Sequence, residues 1–210
     1  MTLSEKMKNG ELYDSSIEAI PEDLEKKLLA CKELIHDFNI SRPSEANCRE
    51  EIIRKVFAEV GENCYIEPPF HANWGCNMHV GKNFYANFNL TVVDDADIYI
   101  GDYVMIAPNV TIATGTHPIC PELRERAFQY NLPVRIGNRV WIGAGSVVLP
   151  GVTIGDDSVI GAGSVVTKDI PAGVVAVGNP CRVLREISER DYEYYYKDRK
   201  IGFAIDKDKK

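Results

Sequence analysis

Residues 136–171 read, in sixes, IGNRVW IGAGSV VLPGVT IGDDSV IGAGSV VTKDIP. Position one of each hexad is Ile or Val, position two is mostly Gly, and position five is Val or Ser until Ile170 closes the run. One branched apolar residue every six matches neither a helical period of 3.6 nor strand alternation. It matches a parallel β-helix of short strands and turns, with the position-one side chains stacked inside and small residues letting the chain turn. An earlier pair, IGDYVM (100–105) and IAPNVT (106–111), belongs to the same series and is followed by Ile112. The interruption, residues 113–135, is a long loop leaving a rigid scaffold, where functional side chains are expected.

Working outward, the sequence predicts a mainly β protein in three parts. These are an N-terminal helical segment (1–61), a parallel β-helix (62–183) with its excursion loop at 113–135, and a C-terminal extension (184–210). Residues 4–9 read as one or two helical turns ended by Gly10. PEDLEKKLLACKELIHDFN, from Pro21, reads as a helix: Pro comes first, acids fill the first turn, and Leu24, Leu28, Cys31, Ile35 and Phe38 recur at helical spacing. A second helix is expected over 44–60, with Ile52, Ile53, Val56, Phe57 and Val60 as its apolar side and Gly61 as its stop. Both helices need a surface to cover, and the first coil offers one. The repeat slips by two residues at 94–97, which is expected to bulge the coil and put polar side chains outside it. After Pro171 the phase continues through AGVVAV, and RDYEYYYKDRK leads into a frayed tail ending in DKDKK.

The net charge is −7 with no long basic run, which argues against a nucleic-acid or anionic-membrane partner. The opening MTLSEKMKNGELY lacks the apolar core of a signal peptide and no stretch is apolar enough to span a bilayer, so a cytoplasmic location is expected. Cys31, Cys48, Cys64, Cys76, Cys120 and Cys181 are scattered without a C-x-x-C pair and read as free thiols of a reducing compartment.

The interruption holds the one His of the regular repeats, His117, in T-H-P. A neutral imidazole there could take the proton of an alcohol; a solvated surface His is the plainer alternative. A zinc site would need three His ligands, and nothing in the spacing of His36, His71, His79 and His117 aligns three of them, so no metal is expected.

GELY, RPSE, VGEN, GKNFYANFNLTVVDD, IGDYVMIAPNVTI, the T-H-P loop, the hexads, GNPCRVLREI and YYYKD span nearly the whole chain. Together they resemble the hexapeptide-repeat O-acetyltransferases of the maltose, galactoside and nodulation acetyltransferase family, nearest to its galactoside branch. FYANFN and the T-H-P loop carry the specificity; hexads alone would show only the fold. The resemblance implies a left-handed coil, a homotrimer with active sites between subunits, and acetyl transfer from acetyl-CoA to a sugar hydroxyl without a metal. It implies His117 as general base and Asn87, Asp95 and Asn73 as acceptor-binding residues. It implies Ala144, Ala162, Thr167, Lys168, Arg182 and Arg185 along the CoA site, with Trp141 beside the pantetheine channel. The family also carries an acceptor-binding Asp shortly after the aromatic residue of its opening motif. Here Tyr13-Asp14 is followed by Ser15, Ser16 and Ile17, so Asp14 is the nearest carboxylate but stands out of register.

The chemistry of these residues points the same way. Asp and Asn offer the directional hydrogen bonds that sugar hydroxyls need, and Lys168, Arg182 and Arg185 are cations in an acidic chain where CoA phosphates need them. Alternatives stay open: Asn87 and Asp95 as turn caps, the basic trio as a solvated edge, Trp141 as subunit packing. Direct transfer, with the Ala144 N–H as oxyanion donor where the galactoside-type pattern has Ser, is set against a covalent route through Cys120. A non-sugar acceptor (serine, an antibiotic or an amino-sugar nitrogen) and a non-enzymatic β-helix module are the competing functions.

Overall fold

The computed structural model describes residues 1–205; the expected frayed tail, 206–210, lies outside the described residues. Six stacked coils form a three-faced prism. The first face carries Glu59–Val60, Met78–Val80, Ile98–Ile100, Val134–Ile136 and Thr153–Ile154. The second carries Tyr65–Ile66, Tyr85–Ala86, Met105–Ile106, Trp141–Ile142, Val159–Ile160 and Val174–Val177. The third carries Phe70–Ala72, Leu90–Val93, Thr111–Ala113, Val147–Val148 and Val165–Val166. Successive coils pair parallel and in register, so the position-one residues fall into columns. Ile100, Ile136 and Ile154 stack on one face, Ile106, Ile142 and Ile160 on the next, and Ile112, Val148 and Val166 on the third, all buried.

Position five explains itself in the same way. Ser146, Ser158 and Ser164 are fully buried, and each hydroxyl donates to a backbone carbonyl: Gly143 at 2.8 Å, Pro171 at 2.7 Å and Gly161 at 2.5 Å. A small polar residue is tolerated inside the coil because it satisfies itself locally. Turns at the prism edges need left-handed backbone. Gly145 and Gly163 supply it at φ 68° and 69°, and Asn83, Asn109 and Asp157 supply it elsewhere.

Two helices close the open end of the prism. α1 (Leu3–Asn9) precedes them, capped by Thr2 and ended by Gly10 at φ 71°. α2 (Glu22–Ile40) buries Cys31, Ile35 and Phe38. α3 (Ala46–Val56) buries Ile52, Ile53 and Val56. Phe70 of the first coil meets Phe38 and Phe57 edge-on, with ring centroids 6.3 and 5.6 Å apart. The Asn39 side chain completes the join: its amide donates to the Phe70 carbonyl and accepts the Phe70 N–H, both at 2.8 Å. That pair of bonds stands where a neighbouring strand would, and so protects an exposed sheet edge. α3 stops four residues short of the expected Val60, because Glu59–Val60 pairs with His79 and Val80 as the first strand of the prism. At the far end, Arg182–Glu186 runs antiparallel to Val174–Val177 and covers the last coil.

The slip at 94–97 departs from expectation. Asp95 and Asp97 face outward, but Asp94 turns in and is fully buried. The chain alternates sides through the insertion, so one of its three acids must point inward.

Phe70→Ala removes the aromatic hub between helices and coil, and is expected to cost about 3–5 kcal/mol. Urea unfolding followed by circular dichroism checks it.

Candidate active site

Two edges of the prism carry the sequence-predicted site residues. One follows the third-face strands and throws out the loop; the other follows the second-face strands.

On the loop edge, Asp95 is the centre. Its Oδ1 accepts the Asn73 side-chain amide at 3.1 Å and the Trp74 indole N–H at 2.9 Å, and its Oδ2 accepts Gln129 Nε2 at 2.9 Å. Gln129 belongs to Phe128–Asn131, the middle strand of a small antiparallel sheet with Tyr13–Asp14 on one side and Gly115–Thr116 on the other. Asn131, fully buried, ties the sheet to the coil: its side chain donates to the Asp95 and Met7 carbonyls and accepts the Tyr13 hydroxyl. Burial is the main reason the Tyr13 phenol is pushed up to about 12, so it stays a neutral donor. Asn73, Trp74, Asp95, Gln129, Tyr13 and Ser15 line a cleft of about 190 Å³, closed on its other side by the apolar Leu3, Met7 and Leu28 of α1 and α2, with Lys32 beside them. Carboxylate and amide groups on one wall and apolar side chains on the other suit a sugar, whose hydroxyls and C–H faces differ in the same way.

Asp14 does not line this cleft. Its exposed carboxylate accepts the Ser16 N–H at 2.9 Å, and hydrogen bonding to Ser16 holds it below the usual carboxylate range. Ser15, the next residue, faces the cleft instead and donates to the Ala127 carbonyl at 2.6 Å.

His117 follows Thr116 on the same small sheet. Its Nδ1 lies 2.9 Å from the Phe128 carbonyl oxygen. A carbonyl only accepts, so Nδ1 carries the proton and Nε2 of the neutral ring is left with a free lone pair. Phe128 directly precedes Gln129, so one strand orients both the imidazole and the Asp95 cluster. Cys120 is engaged elsewhere, donating to Glu122 at 3.0 Å.

On the second edge, Ala144 and Ala162 occupy corners of successive coils, and Asn87 stands two coils before Ala144, with Ala107 between them. The Asn87 side chain accepts the Phe88 N–H at 2.8 Å, which shapes its turn. The glycines after the two alanines link corner to corner, Gly145 N–H to the Pro108 carbonyl and Gly163 N–H to the Ala144 carbonyl. Among the described residues the exposed Ala144 and Ala162 N–H groups have no acceptor, which leaves two donors in a column. Trp141 is half-exposed on the second face between Met105 and Val159. Thr167 and Lys168 are exposed on the loop edge of the last coils, and Arg182 and Arg185 on the covering strand. Arg185 is already paired, with both amine nitrogens 2.7 Å from the Asp191 carboxylate. Among the described residues no three His, Cys, Asp or Glu side chains come together to hold a metal.

Residues 133–168 match the family described as Bacterial transferase hexapeptide (six repeats), and residues 6–61 the Maltose acetyltransferase hexapeptide capping motif. Galactoside O-acetyltransferase of Escherichia coli K12 is 54% identical over 205 residues, 98% of this chain and 99% of that one. The chain belongs to the hexapeptide-repeat sugar O-acetyltransferase family. A solved galactoside acetyltransferase in complex with coenzyme A superposes on this acetyltransferase with a TM-score of 0.91 at 51% identity, over 96% of this chain and 98% of that one. A maltose O-acetyltransferase from Clostridium difficile 630 superposes at 0.86 with 48% identity, over 90% and 98%.

Trp74, Gln129, Tyr13, Asn131 and Ser15 were not singled out by the sequence of this acetyltransferase. Trp74 adjoins Asn73 and Ser15 adjoins Asp14, but no local pattern pairs Tyr13 with Asn131, 118 residues on.

Two predictions follow from the Asp95 cluster and its neighbour. A Cβ added at Gly115 would lie 2.3 Å from Asp95 Oδ2 and 2.9 Å from Gln129 Nε2. Gly115→Ala is therefore expected to break the Gln129–Asp95 bond and raise the acceptor KM several-fold at unchanged acetyl-CoA KM, read by steady-state kinetics. The second concerns Asp94, which burial pushes up to about 7 from an ordinary 3.8. A carboxyl whose folded pKa is raised contributes stability that is fully present below about pH 4 and is lost as pH rises through 7. Wild type should lose stability between pH 4 and 8 relative to Asp94→Asn, by no more than about 4 kcal/mol. Urea midpoints of the two proteins across that range check the sign.

Proposed function

We propose that this chain moves the acetyl group of acetyl-CoA to a sugar hydroxyl by direct transfer, with His117 as general base. The observation that carries the reading is the Nδ1 contact to the Phe128 carbonyl, because it fixes the tautomer whose Nε2 can accept a proton. Asp95 and Asn73, with Trp74 and Gln129, hold the acceptor in the loop-edge cleft, and Asn87 contributes from the second edge. The co-substrate lies along that second edge. Its amides meet the free N–H groups of Ala144 and Ala162, Trp141 packs beside it, Arg182 faces its polar end, and Thr167 and Lys168 reach it from the loop edge of a neighbouring subunit. Arg185 joins them by sharing Asp191 or exchanging it for a phosphate. The Ala144 N–H also stands ready for the thioester oxygen that gains charge as the acceptor attacks. Among the alternatives, serine or an antibiotic would leave most of the polar wall around Asp95 without partners, which favours a polyhydroxylated acceptor. The six free cysteines fit a reducing, cytoplasmic setting.

The fold gives this mechanism a geometric condition. In one subunit His117 and Asp95 stand on one edge of the prism, whereas Asn87, Ala144 and Ala162 stand on the adjacent edge, a whole face away. A closed three-fold ring would set the loop edge of one subunit against the second edge of its neighbour, so each site would draw on two chains.

Thiol release from acetyl-CoA is expected with galactosides, glucosides or maltose and not with serine or chloramphenicol. His117→Ala is expected to lower kcat by about 10²–10⁴-fold while coenzyme A binding persists. Turnover unaffected by the substitution would overturn the assignment of the base. In sedimentation the protein is expected as a trimer. Co-refolding inactive His117→Ala and Asn87→Ala subunits is expected to restore about one quarter of wild-type activity, the share of neighbouring pairs that unite an intact His117 with an intact Asn87. No recovery in mixed trimers would place each site within one chain.

A further inference from the structure

We propose that Asp94, which makes no contact in the cleft, is a positioning residue of the acceptor site, gripping the main chain of Asn73 and Trp74 so that both side chains reach Asp95. Its Oδ1 accepts two successive backbone N–H groups, Asn73 at 3.0 Å and Trp74 at 2.9 Å. Its own carbonyl accepts the Asn77 side-chain amide at 2.7 Å, which ties the far end of the same turn. Asp95, pointing the opposite way, takes the side chains of the same two residues. Two consecutive carboxylates thus hold one dipeptide, one by its backbone and the other by its side chains.

The other half of the Asp94 carboxyl marks this as more than packing. Oδ2 is buried without a partner. A carboxyl in that position is costly, both through desolvation and through the charge of Asp95 beside it. The coil itself does not require it: the first coil takes the same eight-residue step, from Ala72 to Val80, with no inward acid. What the group provides is one oxygen on which two main-chain N–H groups converge, and this sets the direction in which Asn73 and Trp74 leave the backbone. The turn it holds contains Gly75 at φ 65°, where an added Cβ would meet Val56 at 2.2 Å, so the turn is pinned from the helix side too.

The proposal rests on the cleft being the acceptor site, and the experiment separates the two. Asp94→Ala, Asp94→Asn and Asp95→Asn are compared for acceptor KM, acetyl-CoA KM and kcat. A second arm reads Trp74 alone: the chain has two tryptophans, so Trp141→Phe leaves Trp74 as the only indole emitter. Asp94→Ala is expected to raise the acceptor KM roughly tenfold with the acetyl-CoA KM unchanged. In the Trp141→Phe background it should shift Trp74 emission to the red and increase acrylamide quenching. Asp94→Asn should stay within about threefold of wild type and leave emission in place, because its amide oxygen still accepts both N–H groups. If Asp94→Ala does not fold, Asp94→Ser replaces it in both arms, its hydroxyl being too short to reach both donors. Unchanged Trp74 emission, or equal rises in both KM values without rescue by Asn, would overturn the proposal; so would failure of both truncations to fold while Asp94→Asn folds, since that makes Asp94 a scaffold residue. If instead Asp95→Asn leaves the acceptor KM alone while Trp74 emission still responds to Asp94, the acceptor reading fails and the clamp stands.

Discussion

Everything in this molecule depends on the in-register stacking of short parallel strands on three faces. Each coil has to place an Ile or Val above the same residue of the coil below, and a hydrogen-bonded ladder enforces the repeat. Such a scaffold tolerates extra residues only at its edges, because one added within a face would turn the interior columns outward. The departures from the hexad rule, 94–97 and 113–135 among them, therefore emerge on the same edge. The first supplies Asp95, and the second supplies His117 and Gln129.

Those two insertions hold each other. Thr114 at the root of the loop accepts the Ala96 N–H with its hydroxyl and passes its own hydrogen to the Val93 carbonyl. Asn131 at the far end of the loop reaches the Asp95 carbonyl, and Tyr13 reaches Asn131. A loop of this length would be mobile on its own. Here its polar groups are spent on the insertion below and on the N-terminal strand, so the imidazole and the Asp95 carboxylate share one rigid frame. Groups held by a sheet and a buried amide keep a fixed relative geometry, which is the condition the proposed transfer needs.

The prism was legible in the sequence because its signal is periodic and local: Ile136, Ile142, Val148, Ile154 and Ile160 recur at six whatever the rest of the chain does. The helices were legible by their apolar spacing, although α3 ended early because Phe57 and Val60 serve the coil rather than the helix. His117 stood out by its place in an interruption, and Asp95 only through the VVDD motif of the family resemblance. Their partners did not. Gln129 matters only because a strand of the loop pairs with Tyr13–Asp14, a register that no short-range pattern encodes. The inward turn of Asp94 was likewise hidden, since a run of acids in a slip reads as surface until the backbone alternation is known. Asp14 attracted attention as a carboxylate in the right neighbourhood, yet strand geometry turns Ser15 to the cleft.

The same rigidity that fixes the loop edge also limits what one chain can do alone. Free N–H donors and an exposed Trp141 lie along the second edge, while the imidazole and the polar cleft lie along the loop edge, and the third face between them is a straight wall of β-structure that cannot bend. Charge adds to the constraint. The chain is acidic overall, and Arg182 and Arg185, which would meet phosphates in the proposed reading, lie on the covering strand of the last coil, the end opposite the helices that floor the loop-edge cleft. A long, phosphorylated co-substrate can satisfy both ends only by running along the prism axis, with its reactive end toward the loop. In the proposed trimer a neighbouring subunit set against the loop edge would give that groove its second wall, and the stacked coil would give it its direction.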